Sequence, residues 1–259
     1  MKILVCVKWA CDPVSLSKIK NLSELVNPGS SFRFQINRYD EYAVEEALRI
    51  KDCTASVQVD AITVGPKEAT AALVRALGLG ADHGIHILTH QEEAFEAFAV
   101  ATRIADYARQ REYDIIFTGV MSEDLMQGQV GPMVAALLSA SCATAVIRQA
   151  LASDGSRVRV ERELEGGLSE AFELLLPAVL TIQSGINVPR YPKLSCMLRA
   201  KKYPFEQIDE RATSAPVTRQ EILRLYDPQR SRFGRMLNGS VEDKARELVK
   251  VLRKRAILP

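Results

Sequence analysis

Apolar residues gather in short compact runs along this chain, and between the runs they return at helical intervals. Lys2–Val7 is the first run, the pattern of a strand covered on both faces. Val57–Val64, Gly84–Leu88 and Tyr113–Thr118 repeat it. Amphipathic stretches lie between them. Ala43, Val44, Ala47 and Leu48 share a helix face, with Asp40 placed as its N-cap. Ala69, Ala72, Leu73, Ala76 and Leu77 share another, which stops at Gly78 or Gly80. Phe95, Phe98, Ala99, Thr102 and Ala105 stripe a third. Alternating strands and helices predict an α/β fold: a mainly parallel sheet sandwiched by helices.

The fourth strand runs into Gly119–Pro132, GVMSEDLMQGQVGP, and a helix carrying Val134, Leu137 and Leu138 follows. The loop therefore stands at the carboxyl end of a strand and the amino end of a helix, where open α/β sheets bind ligands and where unpaired amides and the helix dipole suit a phosphate. Gly119, Gly128 and Gly131 read as places where the backbone turns sharply and approaches a ligand. Ser122, Asp124, Gln127 and Gln129 are candidates to fix ribose or base. An ordinary polar connection fits the same residues. The loops at Cys6–Trp9, Asn37–Asp40 and Val64–Gly65 converge on the same sheet edge.

After a short strand at Thr144–Ile147, Arg157–Glu163 alternates apolar and charged residues. Glu165-Gly166-Gly167 signals a turn and Ala171–Leu176 runs back, which makes a β-hairpin. Ala178–Ile182 returns to a buried strand. Beyond Gln183 the sheet pattern stops. Asp209–Arg232 reads as a charged connector, and Val241–Arg253 as a helix with Ala245, Leu248, Val249 and Leu252 on one face.

Composition narrows the function. A net charge of +2 over 259 residues argues against binding nucleic acid by bulk charge. No apolar run reaches the roughly 20 residues of a membrane span. MKILVCVKWA reads as a first strand, not a signal peptide. Five cysteines without a C-x-x-C pair suit reduced thiols in a cytoplasmic setting. His83, His86 and His90 are spaced for a helix, but His86 falls within an apolar strand, which counts against a metal site. There is no G-x-S-x-G, no Walker loop and no Cys/His pair, so nothing requires bond-breaking chemistry.

VCVK near the start, Tyr39-Asp40-Glu41 through Ala47, Val64-Gly65-Pro66, Leu79-Gly80-Ala81-Asp82 and the Gly119 loop together give the chain a family resemblance. VERELEGGLSEAFELLLPAVLT, Val160–Thr181, and GINVPRYPKLSCMLRAKK, Gly185–Lys202, are its most specific pieces. The chain resembles the beta subunits of electron-transfer flavoproteins over nearly its whole length. Phe172 departs from the branched aliphatic residue usual at that step, and the Gly119 loop keeps only Glu123 and Asp124 of a run of acids.

The resemblance implies an adenine-nucleotide alpha-hydrolase-like, Rossmann-type fold without hydrolase activity, and a heterodimer whose alpha subunit holds most of the redox FAD. It implies a bound AMP, or a second FAD in electron-bifurcating members. The contacts that it carries over are Cys6, Asn37, Arg38, Tyr39, Asp40, Val64, Gly119, Val120, Met121, Ser122, Glu123, Asp124, Leu125, Met126, Gln127, Gly128, Gln129 and Val130. It divides the chain into a nucleotide-binding domain with the hairpin (1–184), a partner-recognition loop (185–202), and a connector and helix packed on the alpha subunit (203–259). In the loop, Leu194 matches the leucine that anchors a flavin dehydrogenase. On residues alone it is an ordinary surface leucine. Arg190, Lys193 and Arg199 are placed to steer an acidic partner. Electrons would pass on to a quinone oxidoreductase or another acceptor. An adenine-nucleotide enzyme of the same fold, such as an ATP pyrophosphatase, would need an S-G-G-x-D-S-like loop, and Val7-Lys8-Trp9-Ala10-Cys11-Asp12 is unlike one.

Overall fold

The structure is a computed structural model. It describes residues 1–19, 24, 32–90, 96–209, 219–220, 223, 234, 236–255 and 257. The chain divides into two units, Met1–Leu225 and Tyr226–Pro259.

In the first unit the strands are β1 (Lys2–Cys6), β2 (Trp9–Cys11), β3 (Phe34–Ile36), β4 (Gln58–Gly65), β5 (His83–Leu88), β6 (Ile115–Gly119), β7 (Ser141–Leu151), β8 (Arg157–Glu163), β9 (Ser169–Leu175), β10 (Ala178–Ile182) and β11 (Glu206–Asp209). The helices are α1 (Pro13–Leu16), α2 (Arg38–Cys53), α3 (Thr70–Leu79), α4 (Ala97–Arg109), α5 (Val130–Leu138) and α6 (Leu194–Ala200). A nine-stranded sheet has the order β11-β5-β4-β1-β6-β10-β7-β8-β9. Pairing is parallel from β11 to β7 and antiparallel across β7, β8 and β9. The expected α/β architecture and hairpin are present.

Side chains of successive strand residues leave opposite faces of a sheet. Ile3 and Val5 therefore join one buried cluster with Ala43, Val44 and Ala47 of α2 and Ala72, Leu73 and Ala76 of α3. Leu4 and Cys6 join the other, with Ala101 and Ile104 of α4 and Val134 and Ala135 of α5. Both faces of β1 are thus dry, which explains why Lys2–Val7 is apolar without alternation. β2 and β3 form a separate antiparallel ribbon in which Trp9 stacks on Phe34, and it returns the chain to Asn37.

Several expectations need correction. The N-cap of α2 is Asn37, not Asp40, which lies in the first turn with its carboxylate turned to other loops. The strand expected at Thr144–Ile147 is the middle of the longer β7. On α4 the buried residues include Ala97, Ala101, Ile104, Ala105 and Ala108, while Phe98 and Thr102 are half-buried and Phe95 lies outside the described residues. Ala99 and Ala105 of the expected stripe are buried as well, so the stripe was right in part; the small residues let α4 sit close to the sheet, and Phe98 had drawn the expected face to one side of it. β11, which adds to the sheet edge beside β5, was not legible after Gln183. Most of the Asp209–Arg232 connector lies outside the described residues.

The second unit contains α7 (Val241–Lys254). Ser240 and Asp243 form a capping box that supplies its first amides with acceptors. None of its residues is buried, and Val241, Leu248 and Val249 are exposed.

Candidate functional site

Strand order reverses around β1: β4 and β5 lie on one side of it, and β6 and β10 on the other. The crevice beyond the carboxyl ends of β1 and β6 is therefore the topological switch point, the usual ligand site of an open α/β sheet. A cleft lies there, with about 700 Å³ of empty space when the solvent open to it is counted. The strand ends contribute Cys6, Ile62, Val64 and Thr118, α4 contributes Ala97, Val100 and Ile104, and α5 contributes Val130 and Gly131. The Gly119 loop adds Met121, Ser122, Leu125, Gln127 and Gly128, beside Val7, Lys8, Asn37 and Asp40.

The cleft is held together from α2. Asp40, 5% exposed, accepts the backbone N–H of Lys8 at 2.7 Å on one carboxylate oxygen. Its other oxygen accepts the N–H of Gly119 at 3.0 Å and the Asn37 side-chain amide at 2.9 Å. Asn37 also donates to the Met121 carbonyl at 2.8 Å and accepts the Glu123 N–H at 3.1 Å. Lys8 reaches across to Asp124 at 2.7 Å. The loops after β1 and β6 and the start of α2 are thus one hydrogen-bonded assembly.

Burial pushes the Asp40 carboxyl up to about 7, against its hydrogen bonds from Lys8, Asn37 and Gly119, which favour the charged form. Burial, with the Asp40 charge second, also pushes the Cys6 thiol up, so it stays protonated and is a poor nucleophile. No histidine lines the cleft. What it offers is an apolar surface from Ile62, Val64, Val100 and Ile104, polar loop groups, and the amino end of a nine-residue helix. The first-turn amides of Val130 and Gly131 have no carbonyl partner within that helix. Gln129, its N-cap, keeps a buried side-chain oxygen without a hydrogen-bond partner.

Of the residues expected in the site, Cys6, Asn37, Asp40, Val64, Gly119, Met121, Ser122, Leu125, Gln127, Gly128 and Val130 line the cleft. Arg38, Tyr39, Val120, Glu123, Asp124, Met126 and Gln129 do not. The Asp124 carboxylate is turned to Lys8, and Glu123 pairs loosely with Arg38 at 3.6 Å. Sequence reasoning placed Lys8 in a converging loop without naming its role. It missed Val100 and Ile104, whose spacing of four on α4 was a usable signal. The glycines also act differently from expectation. None of Gly119, Gly128 and Gly131 has a positive φ, whereas Met126 does, at 51°. They save space. A Cβ on Gly119 would collide with Asp40 and Tyr39. One on Gly128 would lie 2.7 Å from the Val120 carbonyl oxygen, and one on Gly131 2.5 Å from Thr181 and 2.8 Å from Thr118. A side chain at 131 therefore disturbs the end of the sheet before it meets any ligand.

His86 lies in β5 with its Nε2 at 3.0 Å from the Gly65 carbonyl oxygen, so its ring serves the strand end. Among the described residues no group of three metal-ligating side chains forms, and no helix is long and apolar enough to cross a membrane.

Leu194 opens α6 and is 75% exposed. Leu198, four residues on and so on the same helix face, is also exposed, as are Val188 and Tyr191. Arg190 is not available for steering as expected: its guanidinium is committed to Glu45 and Asp52.

Residues 31–213 match the model of the electron transfer flavoprotein domain. The chain is similar to the electron transfer flavoprotein subunit beta of Bradyrhizobium diazoefficiens, with 34% identity over 99% of each chain. It is also similar to that of Bacillus subtilis, with 32% identity over 85% of this chain and 86% of the relative, and to that of Homo sapiens, with 31% over 90% and 91%.

The buried Asp40 makes a pH prediction. An unfolded Asp titrates near 3.8, so between there and about 7 the folded protein binds the additional proton. That contribution to stability is complete below the unfolded value and is lost as pH rises through about 7. Asp40→Asn should remove this part of the decline in the urea midpoint between pH 5 and pH 8. It should also destabilise the fold by about 1–3 kcal/mol, because one orientation or the other sets its NH₂ against a backbone N–H. Superimposable pH profiles for the two proteins would overturn this reading of Asp40.

Proposed function

The chain belongs to the electron transfer flavoprotein family, among its beta subunits, and from that premise we propose that it binds AMP as a structural ligand within a heterodimer. The role is that of an electron carrier, not a classical enzyme. The alpha subunit holds most of the FAD, which supplies the redox chemistry. This chain supports that subunit, docks a flavin dehydrogenase as donor, and serves delivery to a quinone oxidoreductase or another acceptor. Five free thiols suit a reducing compartment such as the cytoplasm.

The observation that carries the nucleotide reading is the cleft at the switch point. Its apolar surface from Val64, Val100 and Ile104 fits a base. The Val130 and Gly131 amides, at the positive end of the α5 dipole, fit a phosphate. A protonated thiol and a carboxylate already engaged by three donors leave little with which to break a bond.

Two surfaces support the assembly reading. Leu194 stands exposed at the start of α6, and an apolar tip of this kind suits an interface hot spot. The segment 203–259 was read as a connector and arm on the alpha subunit; β11 belongs to the sheet, so the arm begins beyond it, and Val241, Leu248 and Val249 of α7 are exposed.

Cofactor released from the purified heterodimer and weighed by mass spectrometry should be one AMP beside one FAD. Two FAD and no AMP would replace this reading with one in which the chain carries its own flavin. Leu194→Ala should weaken coupling to the dehydrogenase by roughly 1–3 kcal/mol, the contact free energy of one leucine, with cofactor content unchanged. Enzymatic flavin reduction equal to wild type would remove the anchor. Truncation before residue 233 should abolish co-purification with the alpha subunit, and undiminished complex formation would refute the arm.

A further inference from the structure

Residues 183–193 carry the chain from β10 to α6 without helix or strand. No ladder of backbone hydrogen bonds fixes this path, and side chains of α2 hold it instead. Glu41, Glu45 and Asp52 are spaced by four and seven, which places them on one helix face. Glu45 accepts the Arg190 backbone N–H at 3.0 Å, its Nε at 2.9 Å and its Nη2 at 3.1 Å. The same Nη2 donates to Asp52 at 2.7 Å. Asn187 donates to Glu46 at 2.9 Å and to the Tyr42 carbonyl at 3.0 Å. Glu41 pairs with Arg75, whose guanidinium lies over the Tyr191 ring.

We propose that Glu45 is a positioning residue for electron delivery: it clamps Arg190 and thereby sets where the chain presents Leu194 to the dehydrogenase. The inference rests on the docking reading of Leu194 given above and adds the group that orients it.

An exposed ion pair would not justify this role, because such pairs contribute little. Glu45 differs on two counts. It is 7% exposed, so release of Arg190 would leave a buried carboxylate without its cation. It also grips both backbone and side chain of one residue, which fixes direction as well as position. Pro189 and Pro192 flank Arg190 and restrict φ on either side of the clamp. Three residues separate Arg190 from Leu194, too few for slack to accumulate. At the far end, Met197 packs against Gly78 of α3, where a Cβ would collide with its sulfur. Leu194 is thus held between two attachments, one polar and one apolar. With the clamp open, Asn187, the Arg75–Tyr191 contact and Met197 still hold the path, but the attachment that fixes direction next to the anchor is lost, and the anchor samples orientations that do not dock.

The test uses the full-length heterodimer with its cofactors. Glu45→Gln removes the charge and turns an amide toward the guanidinium. Amides 190–198 should exchange with deuterium about tenfold faster, corresponding to about 1.4 kcal/mol of lost protection. With a flavin dehydrogenase that reduces the wild-type heterodimer, KM for the heterodimer should rise several-fold while kcat stays near wild type. Reduction by dithionite and cofactor content serve as controls. Leu194→Ala should raise KM without changing exchange in the segment. Unchanged exchange in Glu45→Gln overturns the clamp, whatever the kinetics. Faster exchange with an unchanged KM, where Leu194→Ala still raises KM, overturns the positioning role and leaves the docking reading standing. No kinetic effect of Leu194→Ala removes the docking reading and this inference with it. If Glu45→Gln does not assemble, Arg190→Lys gives the same readouts, since lysine keeps the charge but lacks the two-pronged geometry.

Discussion

One buried carboxylate holds the working end of this sheet together. Asp40 takes an amide from the loop after β1, another from the end of β6, and the side chain of Asn37. Parallel strands need long crossovers, so the loops at a switch point come from distant parts of the chain and have no ladder to bind them. A carboxylate with two oxygens accepts from several directions at once, which no apolar side chain can do. The cost is desolvation, seen in the upward shift of its pKa, and the three donors offset it. Gly119 follows from this constraint, since a Cβ there would occupy the space that Asp40 needs. Lys8 follows too: its backbone is tied to Asp40 while its side chain turns back to Asp124 in the opposite loop.

α2 extends that constraint across the domain. Its first turn supplies Asn37 and Asp40 to the cleft, and its later turns supply Glu45, Glu46 and Asp52 to the 187–190 segment. The apolar face between them, through Ala43, Val44, Ala47 and Leu48, is fixed on the sheet. One helix therefore carries three jobs, and Asp40 shares the face of Ala43, Val44 and Ala47 that packs on the sheet. An α2 anchored in this way is a rigid reference for both the cleft and the segment bearing Leu194.

Much of this was legible in the sequence, for physical reasons that differ by element. β1, β4, β5 and β6 are covered on both faces, and doubly covered strands must be apolar throughout, so their runs stand out. The hairpin was legible because Gly166 and Gly167 take positive φ, where glycine is favoured. The face of α4 was only partly legible, through Ala99 and Ala105, because alanines that permit close approach carry less signal than a nearby phenylalanine. β11 was hidden because an edge strand with sequence EQID buries little and needs no apolar pattern. Within the site, the loop was found from its residue types; its glycines were read as sharp turns, whereas Gly119 lies in β6 and Gly131 in α5, where both save space against neighbouring groups, and only the folded chain shows that. Arg190 was misread for a similar reason. A basic residue in a basic segment suggests a free charge, and its partners lie 145 and 138 positions away.

α7 poses a separate physical question. A 14-residue helix is near the length at which isolated helices are marginal in water. Its capping box and the acids and bases at its two ends help, each by fractions of a kcal/mol to about 1 kcal/mol. Yet Leu248 and Val249 remain exposed, and tertiary burial of an apolar face is what stabilises most helices of this length. The sequence therefore provides strong local signals for a helix while leaving Leu248 and Val249 of its apolar face exposed. A segment with that combination is suited to completing its fold on a partner: the caps lower the entropy lost on docking, and the free face supplies the contact.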